Sequence, residues 1–228
     1  MSATVLITGF GPFPGVPDNA TARLVPLLAG ALKERWPHIE VIAEVLPTEW
    51  QTAPARVAAM LALHRPRLAL HFGVAKEAMG FEIEMIGRNR CRMAADAAGY
   101  VPDVEKLLEE GADAHATNLP VESIVAHLRG LGLPARASQD AGGYLCNALL
   151  YHSMRHIDAQ ACGTKTGGTQ TGETAGSGIL AGFVHVPACL SGSGFSGAEP
   201  PPECPLTWDQ AVDGSLEIIR VALAPGIA

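Results

Sequence analysis

Short apolar runs alternate with segments of helical periodicity along the first third of the chain, and this alternation constrains the fold more than any other feature. Residues 4–9, 39–46 and 67–74 have the β-branched, apolar character of buried strands. Residues 20–36 and 54–64, which lie between them, repeat apolar side chains at helical spacing. Parallel strands joined by crossover helices satisfy such a rhythm. The sequence therefore predicts an α/β fold in which helices cover both faces of a largely parallel sheet.

The later part of the chain continues the same mixture of elements. Apolar runs predict further strands at 80–90, 134–138 and 179–187. Helical spacing predicts helices at 120–131, around Cys146 and at 207–223, the last with a capping box formed by Thr207 and Gln210. Weak periodicity or an excess of glycine predicts irregular structure at 91–118, 163–178 and 190–206. Pro26 is expected to kink the first helix or to delay its start.

The size and charge of the chain exclude several classes of protein. We expect one domain over residues 1–228, because a chain of this length can bury one sizeable core. The net charge is −7, with 23 acidic and 16 basic residues, and the absence of a basic run argues against a nucleic-acid partner. With neither a secretory leader nor a membrane-spanning stretch, a soluble cytoplasmic protein is expected.

Five cysteines occur at irregular spacing, which suits neither a disulfide framework nor a zinc site. Because the number is odd, at least one free thiol is expected. Cys146 draws attention because the small-residue turn of residues 138–144 leads into an apolar helical pattern at that point. Unpaired N–H groups and the positive end of a helix dipole favour a thiolate in a first turn. A buried, inert cysteine is the alternative, and only a chemical partner can decide between the two.

Two of the eight histidines, His71 and His185, lie inside apolar strand patterns. A buried imidazole must place its nitrogens in hydrogen bonds, either with structural groups or with a functional partner. His185 is expected near the carboxyl end of its strand, where open α/β sheets bind ligands. The other histidines fall in helices or polar connections and are expected to face solvent: His38, His64, His115, His127, His152 and His156.

The glycine-rich loop of residues 9–19, GFGPFPGVPDN, follows the first strand. Its glycines do not have the spacing of a dinucleotide or phosphate loop, and prolines interrupt it where a helix should begin. Phe10 and Phe13 are either plugs of the core or walls of a small pocket.

Two segments resemble the pyroglutamyl peptidase I (pyrrolidone-carboxylate peptidase) family of cysteine peptidases. The family's AGxYxCN motif is matched by residues 141–147, and its GFxHxP motif by residues 182–187. The opening TGFGPFPG is similar to the family's TGFxPFxG, and the resemblance extends over essentially the whole chain. It implies a three-layer α/β/α sandwich, a peptide substrate with an N-terminal pyroglutamate, and a homotetramer. It calls for no metal or other cofactor.

Carried over residue by residue, the resemblance makes Cys146 the nucleophile and His185 the general base. The family's glutamate is followed five residues later by asparagine, and Glu84 and Asn89 fit that spacing, which makes Glu84 the orienting acid. The candidate substrate-binding residues are Phe10, Phe13, Val74, Tyr144 and Asn19, with Val74 at the position of a frequent glutamine. Gly11 replaces the family's glutamate in the first loop, and residues 85–87 read MIG instead of RVA.

Two other functions remain open at the level of sequence. One is another α/β hydrolase acting on nucleosides or phosphates through the glycine-rich first loop. The other is a non-catalytic protein of the same fold that binds a small ligand.

Overall fold

The computed structural model describes residues 3–163, 178–191, 201 and 203–224. Its eight strands are β1 (Thr4–Phe10), β2 (Glu40–Leu46), β3 (Leu68–Ala75), β4 (Phe81–Glu84), β5 (Ile86–Arg88), β6 (Ala114–Ala116), β7 (Ala135–Ser138) and β8 (Leu180–Pro187). Its five α-helices are α1 (Ala20–Arg35), α2 (Thr52–His64), α3 (Val121–Gly130), α4 (Leu145–Gly163) and α5 (Trp208–Leu223). None of these helices has the length and apolar character that crossing a bilayer requires.

Six strands form the central sheet in the order β2-β1-β3-β8-β4-β7. The first four are mutually parallel, whereas β4 runs antiparallel to β8 and pairs in parallel with β7. The interior strands carry apolar side chains on both faces because helices cover both of them. The predicted α/β fold with a largely parallel sheet is confirmed.

A hydrophobic cluster fills the space between the sheet and the helices on each of its two faces. One cluster packs α1, α3 and α5 against one face of the sheet, with Leu28, Leu128 and Ile219 among its fully buried side chains. The other packs α2 and α4 against the opposite face, with Leu61 and Leu149 at its centre. Burial of such side chains contributes roughly 1.5–3 kcal/mol each, and this is the main term that holds the three layers together.

The predicted helices and most strands are observed within a few residues of their expected bounds. The predicted delay of the helix start at Pro26 was wrong, because α1 begins at Ala20 and continues through the proline, and a kink at Pro26 stays a prediction. Asn19 caps the helix by accepting a hydrogen bond from the Thr21 N–H, and the buried face of α1 outweighs the backbone bond that proline cannot make. The capping box of Thr207 and Gln210 is confirmed.

The segment from 80 to 118 is more ordered than its sequence indicates. The predicted strand at 80–90 is divided between β4, in the central sheet, and β5, which pairs antiparallel with β6 in a separate two-stranded sheet. β6 lies inside the stretch that was predicted to be irregular. The loops predicted at 163–178 and 190–206 fall largely outside the described residues.

The cysteine prediction needs one correction. Cys189 and Cys204 form a disulfide whose Cα atoms are 5.7 Å apart, although the spacing of the five cysteines gave no indication of a pair. Cys189 lies in a short 3-10 helix directly after β8, and Cys204 lies in the bend that precedes α5, so only the tertiary fold brings the two residues together. The predicted free thiol is confirmed, because Cys91 and Cys146 are both unpaired.

His71 is a buried histidine with structural partners. Its side chain is fully buried on β3, with Nδ1 2.8 Å from the Thr8 hydroxyl and Nε2 3.0 Å from the Ser153 hydroxyl. Burial lowers the pKa of His71 from 6.5 to about 3. Four of the six histidines that were expected to face solvent are instead half-buried: His115, His127, His152 and His156. Asp158 binds His115, and Glu217 binds His127.

We predict that His71 makes the protein sensitive to acid. Between pH 6.5 and 3 the unfolded chain binds a proton at His71 that the folded chain does not bind, so the free energy of unfolding falls as the pH falls, by up to about 1.4 kcal/mol per pH unit. Glutamine at this position does not titrate. Urea unfolding from pH 7.5 to 4.5 should therefore show a steeper loss for the wild type than for His71→Gln, and parallel profiles would contradict the assignment.

Candidate active site

Cys146 is the second residue of α4, at the end of the sheet where β3 and β8 terminate. Asn147 fixes this end of the helix: its side-chain oxygen accepts from the Arg88 N–H, and its amide nitrogen donates to the carbonyls of Arg88 and Arg90, each at 2.8 Å. Helix geometry leaves the first-turn N–H groups without intrahelical partners. They are therefore available to stabilise negative charge on the sulfur or on a reacting oxygen.

The backbone of β3 approaches the Cys146 sulfur closely at Gly73. A Cβ atom at Gly73 would lie 2.9 Å from Cys146 Sγ and 2.7 Å from the Phe183 ring, so only glycine fits without displacing the Cys146 side chain or the Phe183 ring. Gly87 has a similar role on β5, where a Cβ would lie 2.5 Å from the Tyr151 backbone nitrogen in α4. These two close approaches set the position of α4 against the strands.

His185 lies beside Cys146 and is 6% exposed. Its Nδ1 is 2.7 Å from Glu84 Oε1, and the Cys146 side chain is near enough to influence the charge of the ring. The antiparallel register of β4 and β8 brings His185 and Glu84 onto one face of the sheet, since Glu82 pairs with His185 and Glu84 with Phe183.

Two opposing effects act on the pKa of His185. Burial disfavours the charged ring, but the charge and hydrogen bond of Cys146, followed by the hydrogen bond and charge of Glu84, outweigh it and raise the pKa of His185 above its ordinary value. At neutral pH these contributions favour the imidazolium form of His185. A thiolate next to such an imidazolium can attack a carbonyl, and the imidazolium can then donate a proton to a leaving group.

Glu82 and Glu84 are both buried next to the imidazole but have different partners. Arg136 binds Glu82 Oε1 through Nε and Nη2 at 2.9 and 2.6 Å, whereas Glu84 binds His185. Glu82, Glu84 and His185 offer ligand atoms within 4.8 Å of one another, a spacing that could accommodate a metal ion. Because Arg136 and the Glu84–His185 bond already occupy these groups, we assign no metal site to them.

Three aromatic rings cluster close in sequence or space to the residue pair Tyr144 and Cys146. The Tyr144 ring, two residues before Cys146, lies 5.5 Å from Phe13 and 5.0 Å from Trp50, which it meets edge to face. Burial, and after it the charge of Asp96, raises the pKa of Tyr144 to about 12, so the phenol is neutral. We call Phe13, Trp50 and Tyr144 the aromatic wall.

The predicted substrate-binding residues divide into two groups. Phe13 and Tyr144 belong to the aromatic wall, and Val74 is half-buried on β3 directly after Gly73. Phe10 is 2% exposed and packs on Phe183 behind the site, as a plug of the core. Asn19 caps α1 and donates to the Gly11 carbonyl, so it shapes the first loop. The roles of these residues in substrate binding stay predictions.

Sequence reasoning missed Trp50 and Asp96. Trp50 follows β2 in a short connection, and no motif marks it. Asp96 lies in the segment predicted to be irregular, yet its side chain accepts three backbone hydrogen bonds. Asn147 was part of the cysteine motif, and its position next to Cys146 was the available signal for its role.

The first loop is poorly suited to phosphate. The Asn19 side chain already occupies the Thr21 N–H at the start of α1, one of the donors that a phosphate at this helix would use. Asn19 Nδ2 and the Thr48 hydroxyl both donate to the Gly11 carbonyl and hold the loop against the β2–α2 connection. These bonds disfavour the nucleotide or phosphate alternative.

The fold and the site together define an α/β protein with the geometry of a cysteine hydrolase. Comparison with known proteins makes this more specific: the pyroglutamyl peptidase family profile matches residues 3–214, and the chain belongs to that family.

Curated relatives and solved structures agree with this membership. The pyrrolidone-carboxylate peptidase of Oceanobacillus iheyensis is 30% identical over 184 residues, covering 81% of this chain and 83% of its own length. That of Gloeobacter violaceus is 34% identical over 186 residues, covering 80% of each chain. Pyroglutamyl peptidase I of Bacillus amyloliquefaciens superposes with a TM-score of 0.76 at 26% identity over 98% of both chains. A mutant pyrrolidone carboxyl peptidase from Pyrococcus furiosus gives a TM-score of 0.76 at 28% identity, covering 96% of this chain and 98% of that one.

Proposed function

We propose that the protein hydrolyses the amide bond that follows an N-terminal pyroglutamyl residue of a peptide. The observation that carries this proposal is the chain of contacts from Cys146 through His185 to Glu84, located where the sheet ends and next to the aromatic wall. The names of its curated relatives supply the substrate class. A non-catalytic binding protein would have no need for a half-buried thiol beside a buried imidazole whose pKa is raised.

In the proposed reaction, the Cys146 thiolate attacks the pyroglutamyl carbonyl carbon and forms a tetrahedral oxyanion. First-turn N–H groups of α4 are placed to stabilise that oxygen. The His185 imidazolium then donates its Nε2 proton to the leaving amine nitrogen, and the carbon–nitrogen bond breaks to give a thioester. Neutral His185 next takes a proton from water, which attacks the thioester, releases pyroglutamate and restores the thiolate.

Glu84 holds the ring for both proton transfers. Its carboxylate accepts a hydrogen bond from the Nδ1–H of His185, which would keep Nε2 directed at the sulfur and stabilise the imidazolium. In the described residues Glu84 Oε2 has no hydrogen-bond partner, so the bond to His185 is the main one this buried carboxylate makes. Glu82 is paired with Arg136, and we propose no role for it in the proton transfers.

Specificity for pyroglutamate follows from charge and shape. The pyroglutamyl group is a flat, neutral lactam, which the neutral rings of Phe13, Trp50 and Tyr144 can cover. An ordinary N-terminus carries an ammonium group, and burying it without a counter-ion costs several kcal/mol, on the order of a 1000-fold rejection.

Further features of the proposal rest on the family resemblance. We propose a single peptidase domain that works in the cytoplasm as a homotetramer and needs neither a metal nor another cofactor. The net charge of −7 supports the absence of a nucleic-acid partner.

Replacing the sulfur tests the assigned nucleophile. Cys146→Ala should abolish release of a chromophore from a pyroglutamyl amide while leaving the circular dichroism spectrum and the unfolding midpoint close to wild type, because the side chain contributes little to the core. Cys91→Ala is the matched control: that thiol donates to the Val104 carbonyl, and burial raises its pKa, so the variant should keep its activity. Turnover by Cys146→Ala would contradict the proposal.

A second pair of variants separates the two buried carboxylates. Glu84→Gln keeps the size of the side chain but removes the charge that stabilises the imidazolium, and kcat should fall by about 100-fold or more. Glu82→Gln should retain kcat within about threefold when both are assayed on the same pyroglutamyl amide, because Glu82 binds Arg136 and not the ring. The reverse ranking would transfer the orienting role to Glu82.

A further inference from the structure

Four separate parts of the chain meet at the aromatic wall, and the first loop contributes Phe13. The β2–α2 connection contributes Trp50, the turn before α4 contributes Tyr144, and residues 94–100 lie against both. The Trp50 indole N–H donates to the Ala94 carbonyl at 3.0 Å, and the Tyr144 hydroxyl donates to the Ala95 carbonyl at 2.9 Å. The orientation of both rings therefore depends on where these two adjacent carbonyls lie.

A single buried carboxylate fixes that segment. Asp96 is 2% exposed, and its Oδ1 accepts from the N–H groups of Ala98 and Tyr100, both at 2.9 Å. Its Oδ2 accepts from the Trp50 backbone N–H at 3.0 Å. Asp96 thus closes its own turn with one oxygen and ties that turn to the β2–α2 connection with the other.

Two further hydrogen bonds link residues 94–100 to the β2–α2 connection and that connection to the first loop. The Ala97 N–H donates to the Thr48 carbonyl at 2.9 Å, and the Thr48 hydroxyl donates to the Gly11 carbonyl at 2.8 Å. Phe13 lies two residues beyond Gly11 and packs on Tyr144. The segments that carry Phe13 and Trp50, together with the carbonyl that binds Tyr144, are thus linked through the turn that Asp96 closes.

We propose that Asp96 is a positioning residue for substrate binding: it holds the aromatic wall in the arrangement that receives the flat lactam ring. The inference rests on the proposed function and assigns Asp96 no contact with the substrate or the reacting atoms. A carboxylate is suited to this role because it can accept several N–H bonds at once. Its removal leaves three N–H groups without their acceptor and frees the turn that orients both rings.

The role predicts a particular pattern of kinetic change. Asp96→Ala should raise KM for a pyroglutamyl amide about tenfold with kcat within about threefold, because the wall contacts the lactam equally in the ground state and the transition state. The rate of Cys146 alkylation by iodoacetamide should stay within about twofold of wild type, because the contacts of His185 with the sulfur and Glu84 are intact. Asp96→Asn keeps one acceptor oxygen and should give a smaller rise in KM.

Glu217→Gln is the matched control. Glu217 also accepts from two side chains, those of His127 and Arg220, but it lies on α5, across the sheet from the site. Its loss should leave KM unchanged. If Asp96 were merely structural, its replacement would reduce the folded fraction and lower the apparent kcat without raising KM. That result, or an equal rise of KM in Glu217→Gln, would overturn the inference.

A binding experiment keeps this inference separate from the proposed function. 2-Pyrrolidone, a small neutral lactam, should protect Cys146 from iodoacetamide in the wild type, and about tenfold more of it should be needed in Asp96→Ala. If the wild type did not hydrolyse pyroglutamyl amides but showed this difference, the proposed function would fail while the role of Asp96 held. Equal protection of both proteins would overturn the role of Asp96 whatever the activity.

Discussion

The contact between a thiol, an imidazole and a carboxylate in the interior is the interaction on which the rest of the site depends. Removing charged groups from water is costly unless nearby partners compensate their charge. His185 shows the balance directly: burial acts against its proton, and Cys146 and Glu84 together reverse that effect. Glu84 is fully buried, so without the imidazolium its charge would be uncompensated. The three groups therefore stabilise one another as a unit, and this mutual dependence supports the proposed role of Cys146 as the nucleophile.

Strand direction and register position the three groups of this unit. The parallel strands β3 and β8 end at the same edge, and the antiparallel insertion of β4 brings a carboxylate from the opposite chain direction onto the face that carries the imidazole. Gly73 removes a side chain where the sulfur must approach, and Asn147 fastens the helix start to the β5 backbone. The strand register, a glycine and the Asn147 side chain thus position Cys146, His185 and Glu84. None of these positioning features is itself a reactive group.

Sequence reasoning reached the fold class and most elements because buried strands and amphipathic helices have local patterns. It could list a cysteine, a histidine and acidic residues, but the choice of Glu84 over Glu82 came from a family spacing, since both alternate onto the same face of β4. Trp50 and Asp96 act through contacts between segments about 45 residues apart in the chain, which no local pattern encodes. The Cys189–Cys204 pair, the strand β6 and the continuity of α1 through Pro26 likewise depend on tertiary packing, which overrides local preference.

The protonation state of His185 tests the central claim most directly. In ¹⁵N-labelled protein at pH 7.5, the ring nitrogens of His185 should have the chemical shifts of an imidazolium in the wild type, because Cys146 and Glu84 raise its pKa. In Cys146→Ala the first of these contributions is lost while burial remains, so the fraction of neutral ring should rise at the same pH. A wild-type His185 that is neutral at pH 7.5, with shifts unaffected by removal of the sulfur, would contradict the proposed ion pair and the mechanism built on it.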